Sequence, residues 1–193
     1  MILRNLTLAA KAAFAISLIV FTSGGSFAQD SAQEAPDGKA QTRPSASEKE
    51  KKEELRVKAC GTESVNFKAS TDKDQHPTPD APADKALVYV MRKTMLGHRI
   101  HSKLAVNGKW MGVNRGKTYF YFTLDPGEHF FCSESENQDY LALTVEAGKT
   151  YYLKQRVEMG MWKARTDLAV VDEAKGKKEL ADLNLSVFTL KEK

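Results

Sequence analysis

The sequence predicts a mainly β protein. The expected core is a small antiparallel β-sandwich, Ig-like or prealbumin-like, of about seven to eight strands. A short C-terminal helix and a disordered or helical N-terminal segment complete it. Three observations carry this. About eight short runs in which apolar and polar residues alternate fill some 85 residues after Ala86. Turn signals separate them at intervals of about 8–12 residues, the spacing of sandwiches and barrels. No heptad, no strand–helix–strand alternation and no fixed-period repeat competes with that pattern.

Residues 1–28 read as an export signal. Arg4 and Lys11 give the positive start, Ala12 to Phe21 is an apolar run too short to span a bilayer, and Ser26-Phe27-Ala28 is a cleavage site of small residues. Cleavage is expected after Ala28, with no stable membrane insertion afterwards. No Cys directly follows the apolar run, so the usual lipid-attachment signal is missing. Val57-Lys58-Ala59-Cys60 resembles one only faintly and lies far away. The remaining chain carries 27 Lys and Arg against 25 Asp and Glu once Arg4 and Lys11 are gone, a net +2. Such a balance supplies no electrostatic case for a nucleic-acid partner, which needs clustered cations.

Residues 29–59 form a linker in this reading. Gln29 to Ser47 is rich in Ala, Gln, Pro and Ser and has no periodicity. Ser47 with Glu50 three residues on makes a capping box, and the Glu/Lys-rich run to Lys58 is a polar, marginal helix. Residues 60–85 form an extended, Pro-rich arm packed on the domain. Val65 and Phe67 fit one short strand, and Pro77, Pro79 and Pro82 impose an extended path without regular pairing.

The β-sandwich domain is placed at 86–190. Leu87 to Met91 is a continuous apolar run, typical of a buried central strand. Ile100 to Val106 alternates, and Asn107-Gly108 is the strongest short hairpin signal, with Lys109 to Val113 as the return strand. Thr118 to Leu124 follows, then the turn Asp125-Pro126-Gly127 and a strand from His129 to Ser135. Further strands run over Leu141 to Val145, Tyr151 to Val157 and Ala164 to Val171. Asp172 caps a short helix through Asp182, weakened by Gly176. Ser186 to Leu190 alternates weakly.

Four blocks in this order, ALVYVMR, KLAVNGKWMGV, TYFYFTLDPGEH and LTVEAGKTYYL, resemble the bacterial domain-of-unknown-function family 2846, over about Ala86 to Val171. The resemblance implies an exported β-sandwich. It implies no catalytic residue, because none is established in the family. Many members are lipoproteins, and this chain departs from them in lacking the attachment Cys.

The two cysteines, Cys60 and Cys132, both follow the expected cleavage site. An oxidising compartment favours their pairing. The bond would close a loop of over 70 residues and contribute roughly 4 kcal/mol; two free thiols are the alternative. Side-chain alternation along the aromatic strand puts Phe120, Phe122 and Leu124 on one side, as core, and Tyr119, Tyr121 and Thr123 on the other. Tyr152, Lys154 and Arg156 extend the second side if their strand lies in the same sheet. This aromatic and cationic face is a possible ligand-binding surface for a peptide, a glycan or an envelope protein. The competing reading, which is preferred, has it covered by the Cys60 arm or by the helix after Asp172.

No constellation calls for catalysis, a cofactor or a metal. His98 and His101 stand three apart and face opposite ways on a strand, and no Cys or carboxylate completes a ligand set. His129 and Cys132 are separated in the same way. His76 lies alone in the arm. Glu134 and Glu136 share a face near a loop, where two Glu are usually solvated. The expectation is an exported, non-catalytic β-sandwich, periplasmic or secreted, acting as an envelope binding or accessory module. The other reading is a hydrolase or metal-dependent enzyme of the periplasm, and it requires titratable side chains converging in a pocket.

Overall fold

The computed structural model describes residues 46–159 and 164–191. The expected export signal and the linker up to residue 45 lie outside the described residues. The described chain begins with helix α1 (Ala46–Cys60), followed by strand β1 (Phe67–Asp72). Strands β2 (Ala86–Arg92), β3 (Ser102–Val106), β4 (Lys109–Asn114), β5 (Thr118–Leu124), β6 (Gly127–Glu134), β7 (Gln138–Val145), β8 (Thr150–Met159) and β9 (Ala164–Val171) come next. Helix α2 (Glu173–Leu180) and strand β10 (Asn184–Leu190) close it.

The strands form two sheets. One has six strands in the order β1-β10-β5-β2-β8-β9, and the other has four in the order β4-β3-β6-β7. Their facing sides share a core of Val88, Val90, Phe120, Leu153 and Leu168 from the larger sheet and Leu104, Val106 and Phe131 from the smaller. Burying each such side chain contributes roughly 1.5–3 kcal/mol. Phe122 and Leu124 pack against this core with Phe120, as alternation requires.

Pairing direction differs from the expected antiparallel pattern. β2 pairs β5 antiparallel, but β8 joins the other edge of β2 in parallel, and β10 joins β5 in parallel. Between β2 and β8 the chain visits the whole four-stranded sheet, and it returns running the same way. Alternation encodes which face is buried and carries no information on the partner's direction. The domain also starts earlier than residue 86. β1, within the arm, pairs all along β10, from Phe67 opposite Leu190 to Asp72 opposite Leu185.

Local chemistry explains the connections. Asn107 and Gly108 both have positive φ, at 50° and 77°, which is the hairpin turn their sequence favours. Asp125 to Gly127 does not close a hairpin: β5 belongs to the six-stranded sheet and β6 to the four-stranded one, so this corner carries the chain between layers. The Cys60–Cys132 disulfide is formed, with Cα atoms 5.0 Å apart. It fastens the end of α1 to β6, where Ala59, Cys60, Ala105 and Cys132 make a small buried cluster of their own. Asn137, just before β7, and Asp139 within it seal the β9 edge. Asn137 donates to the Thr166 carbonyl and accepts from the Thr166 N–H, and Asp139 accepts from the Leu168 N–H at 2.7 Å. Backbone groups of an edge strand are thereby satisfied by side chains.

Candidate functional site

The outer side of the six-stranded sheet is built from the residues that alternate with the core. β5, β2 and β8 lie side by side, and the register puts Tyr121, Tyr89 and Tyr152 in one row across three strands. Tyr119, Met91 and Lys154 form the next row. The Tyr89 and Tyr152 rings stack at 5.5 Å with 10° between planes, and Tyr89 lies 5.6 Å from Tyr121 and 6.2 Å from Tyr119.

Two elements lie over this tyrosine face. Helix α2 covers the β8 side with Leu180, and Leu183 just beyond it joins the same cluster. Asp172 caps the helix by accepting from the Lys175 N–H at 2.9 Å. Gly176 permits the close approach, since a Cβ there would sit 2.2 Å from the Tyr152 ring. The glycine that weakens the helix by propensity is thus what lets it dock. The Pro-rich part of the arm covers the β5 side. Tyr119 donates its hydroxyl to the Pro77 carbonyl and Tyr89 to the Pro79 carbonyl, both at 2.9 Å. The His76 ring packs 5.0 Å from Tyr119, its Nε2 lies 3.1 Å from the Leu180 carbonyl, and Ala81 packs against the cluster.

The sequence-derived face is therefore divided. Tyr119 and Tyr152 are buried, and Tyr121 is half-buried. Lys154 pairs with Glu179 at 2.7 Å beneath α2, while Arg156 is exposed and lies 3.6 Å from Asp167. Burial disfavours the phenolate: it pushes the Tyr119 hydroxyl up to about 12 and also raises those of Tyr89 and Tyr152.

Between the arm and α2 a groove of about 560 Å³ stays open. Thr78 and Asp80 line one wall, Glu173 and Lys177 the other, and Tyr89 and Tyr152 the floor. Glu173 and Lys177 pair at 2.6 Å one helical turn apart. Sequence reasoning had not marked Tyr89, His76 or the arm prolines as parts of one site. Tyr89 was hidden in an apolar run, and its position two residues from Leu87 and Met91 was the signal that it shares their face.

A second polar centre lies inside the sandwich. Arg92 is fully buried on the inner side of β2. It donates to the carbonyls of Leu96 (3.0 Å), Gly97 (2.7 Å) and Ile100 and to the Ser102 hydroxyl (3.2 Å). Burial lowers its pKa to about 10, so it is charged at neutral pH. These four acceptors offset much of the cost of burying the cation and pin the β2–β3 connection. Asn114, Gln155, Ser133 and Thr166 continue a hydrogen-bonded chain beside it.

The remaining candidates do not converge. His98 sits in the β2–β3 turn region and His101 just before β3. Burial and nearby cations, Arg115 first, lower the His101 pKa. His129 is held by the Asp125 carbonyl and Asn107. Cys132 is spent in the disulfide, Glu134 pairs with Lys103, and Glu136 lies in the exposed turn that follows. Among the described residues, no three His, Cys, Asp or Glu are grouped to hold a metal ion.

An uncharacterized protein of Haemophilus influenzae is 29% identical over 136 residues, covering 69% of this chain and 79% of that protein. No helix among the described residues is long and apolar enough to cross a membrane. Residues 82–167, from the arm's last proline to β9, match the model of DUF2846, a protein family of unknown function.

Proposed function

We propose that the protein is an exported, non-catalytic binding or accessory module of the bacterial cell envelope, working through the groove on its tyrosine face. The observation that carries this reading is the buried Cys60–Cys132 disulfide joining α1 to the sandwich. Such a bond persists in oxidising compartments, and the N-terminal sequence supplies the means of reaching one. The groove supports a binding role rather than chemistry. Glu173 and Lys177 on its wall are paired with each other, and a peptide or glycan of an envelope partner is the expected ligand.

Fractionation tests the export half. The full chain, expressed in a bacterial host, should appear outside the cytoplasm, begin at Gln29 by N-terminal sequencing, and resist thiol labelling until reduced. A cytoplasmic chain that keeps its first 28 residues and labels at both cysteines would overturn the proposal. Binding is tested with envelope fractions and Lys177→Glu plus Asp80→Lys, two exposed groove-wall changes. Identical retention of envelope components by both proteins would argue against the groove.

A further inference from the structure

We propose that the tyrosine face is a receptor for proline-rich, extended peptides, and that the chain's own segment Pro77–Pro82 occupies it as an internal ligand. This deepens the binding reading above by naming the partner class: a proline-rich segment of another polypeptide.

The chemistry of the occupied face is what points to this. Pro77, Pro79 and Pro82 fix their own φ and extend the residues before them, which favours a polyproline-II-like path along the strap, residues 74–83. Residues 75–82 make no regular secondary structure. Polyproline-II segments bind grooves lined by aromatic rings, whose polar tips donate to carbonyls the ligand cannot satisfy internally. Here the floor is four tyrosines, and two of them donate to carbonyls two residues apart, Pro77 and Pro79. Two residues of such a helix advance about 6 Å, and the rings of Tyr89 and Tyr119 are 6.2 Å apart. The spacing of the two donating rings matches that two-residue advance.

The occupancy is also shallow. Pro79 and Pro82 are exposed and Pro77 and Ala81 half-buried, while Leu87, Met91 and Tyr119 beneath are buried almost completely. The strap is a thin cover over a large apolar floor. The open groove beside it, bounded by Glu173 and Lys177 on α2, leaves room for a ligand longer than the strap. A competing segment that repeats the Pro-x-Pro carbonyl spacing would make the same two hydroxyl contacts and gain the groove as well.

The test uses a fluorescent peptide copying residues 76–82. It is titrated into the wild-type protein and into a variant whose residues 74–83 are replaced by Gly and Ser at equal length. Circular dichroism and an intact disulfide certify that the variant is folded. Saturable binding to the replaced variant, at least about tenfold tighter than to wild type, is expected because the internal ligand no longer competes. Adding Tyr89→Phe and Tyr119→Phe to that variant should weaken binding about tenfold, since the rings remain and only the donors are lost. If the replaced variant does not fold, Pro77→Gly, Pro79→Gly and Pro82→Gly in the full strap serve instead, with the same expectations. No binding to a folded variant, or binding unaffected by loss of the two hydroxyls, overturns the proposal. None of these outcomes touches the fractionation result, so failure here is distinguishable from failure of export.

Discussion

The two faces of the six-stranded sheet are both buried, by different means. The inner face meets the four-stranded sheet through interlocking aliphatic and phenyl groups, with Val88, Val90, Leu104 and Phe131 at the centre. The outer face meets a single strap and a two-turn helix, through tyrosines whose hydroxyls are bonded to the cover. An apolar interface between two sheets separates only when the domain unfolds. A cover held by two neutral hydrogen bonds, one ion pair and a few packed side chains has its own, smaller opening energy. The comparison teaches that burial alone does not identify a structural core; the means of covering does.

The largest expected effect lies on the inner face. Phe131→Ala should cost about 3–5 kcal/mol and lower the midpoint of urea unfolding for the whole domain. A loss under about 1 kcal/mol would mean that the two sheets do not share one tightly packed core. Next is the disulfide. Cys60→Ala with Cys132→Ala should cost about 2–4 kcal/mol, measured in the same way. The bond joins α1 to β6 and does not touch the outer face. Its loss should therefore leave the opening of the strap unchanged. Faster strap opening in that double variant would break the separation of the two faces.

Gly176→Ala probes the outer cover. The new methyl would meet the Tyr152 ring, so α2 must shift, at about 1–3 kcal/mol. Near-ultraviolet circular dichroism of the tyrosines should change while the sheet signal remains. Stabilisation instead, as helix propensity alone favours, would show that the helix does not rest on Tyr152. Smallest is Tyr89→Phe with Tyr119→Phe, at about 1 kcal/mol for each hydroxyl at most, because the freed carbonyls are close to water. Alkaline pH should act on the same contacts. Tyr119 ionises near 10 when unfolded and at about 12 in the fold. A raised folded value means that its contribution is complete below pH 10 and is lost as pH rises from 10 to 12. Tyrosinate absorbance should lag behind that of free tyrosine in this window and catch up as the outer face opens. Titration of all tyrosines near pH 10 would contradict their burial.

Much of the inner face was legible in the residues. Alternation placed Phe120, Phe122 and Leu124 inward, Asn107-Gly108 announced its hairpin, and the expected export the disulfide. The outer face was legible only in outline. Tyr119 and Tyr121 stood out as an aromatic side facing away from the core, but their cover depends on non-local docking. A proline-rich strap has no hydrophobic period to reveal where it lies. β10 was weak in the sequence because pairing with β1, more than a hundred residues away, makes it a strand. Arg92 gave no signal at all, since its acceptors are backbone carbonyls, which every sequence contains.

Val90 and Met91 are neighbours on β2, both fully buried, facing inward and outward respectively. Val90→Cys and Met91→Cys each place one free thiol beside the intact disulfide, and the rate of native-state thiol labelling can be followed at rising urea. Labelling at position 91 should be the faster and nearly independent of urea, reporting local opening of the cover, while labelling at position 90 should rise steeply with urea as it awaits global unfolding. Equal rates with equal urea dependence at the two positions would contradict the account, because the outer face would then be as permanently closed as the core.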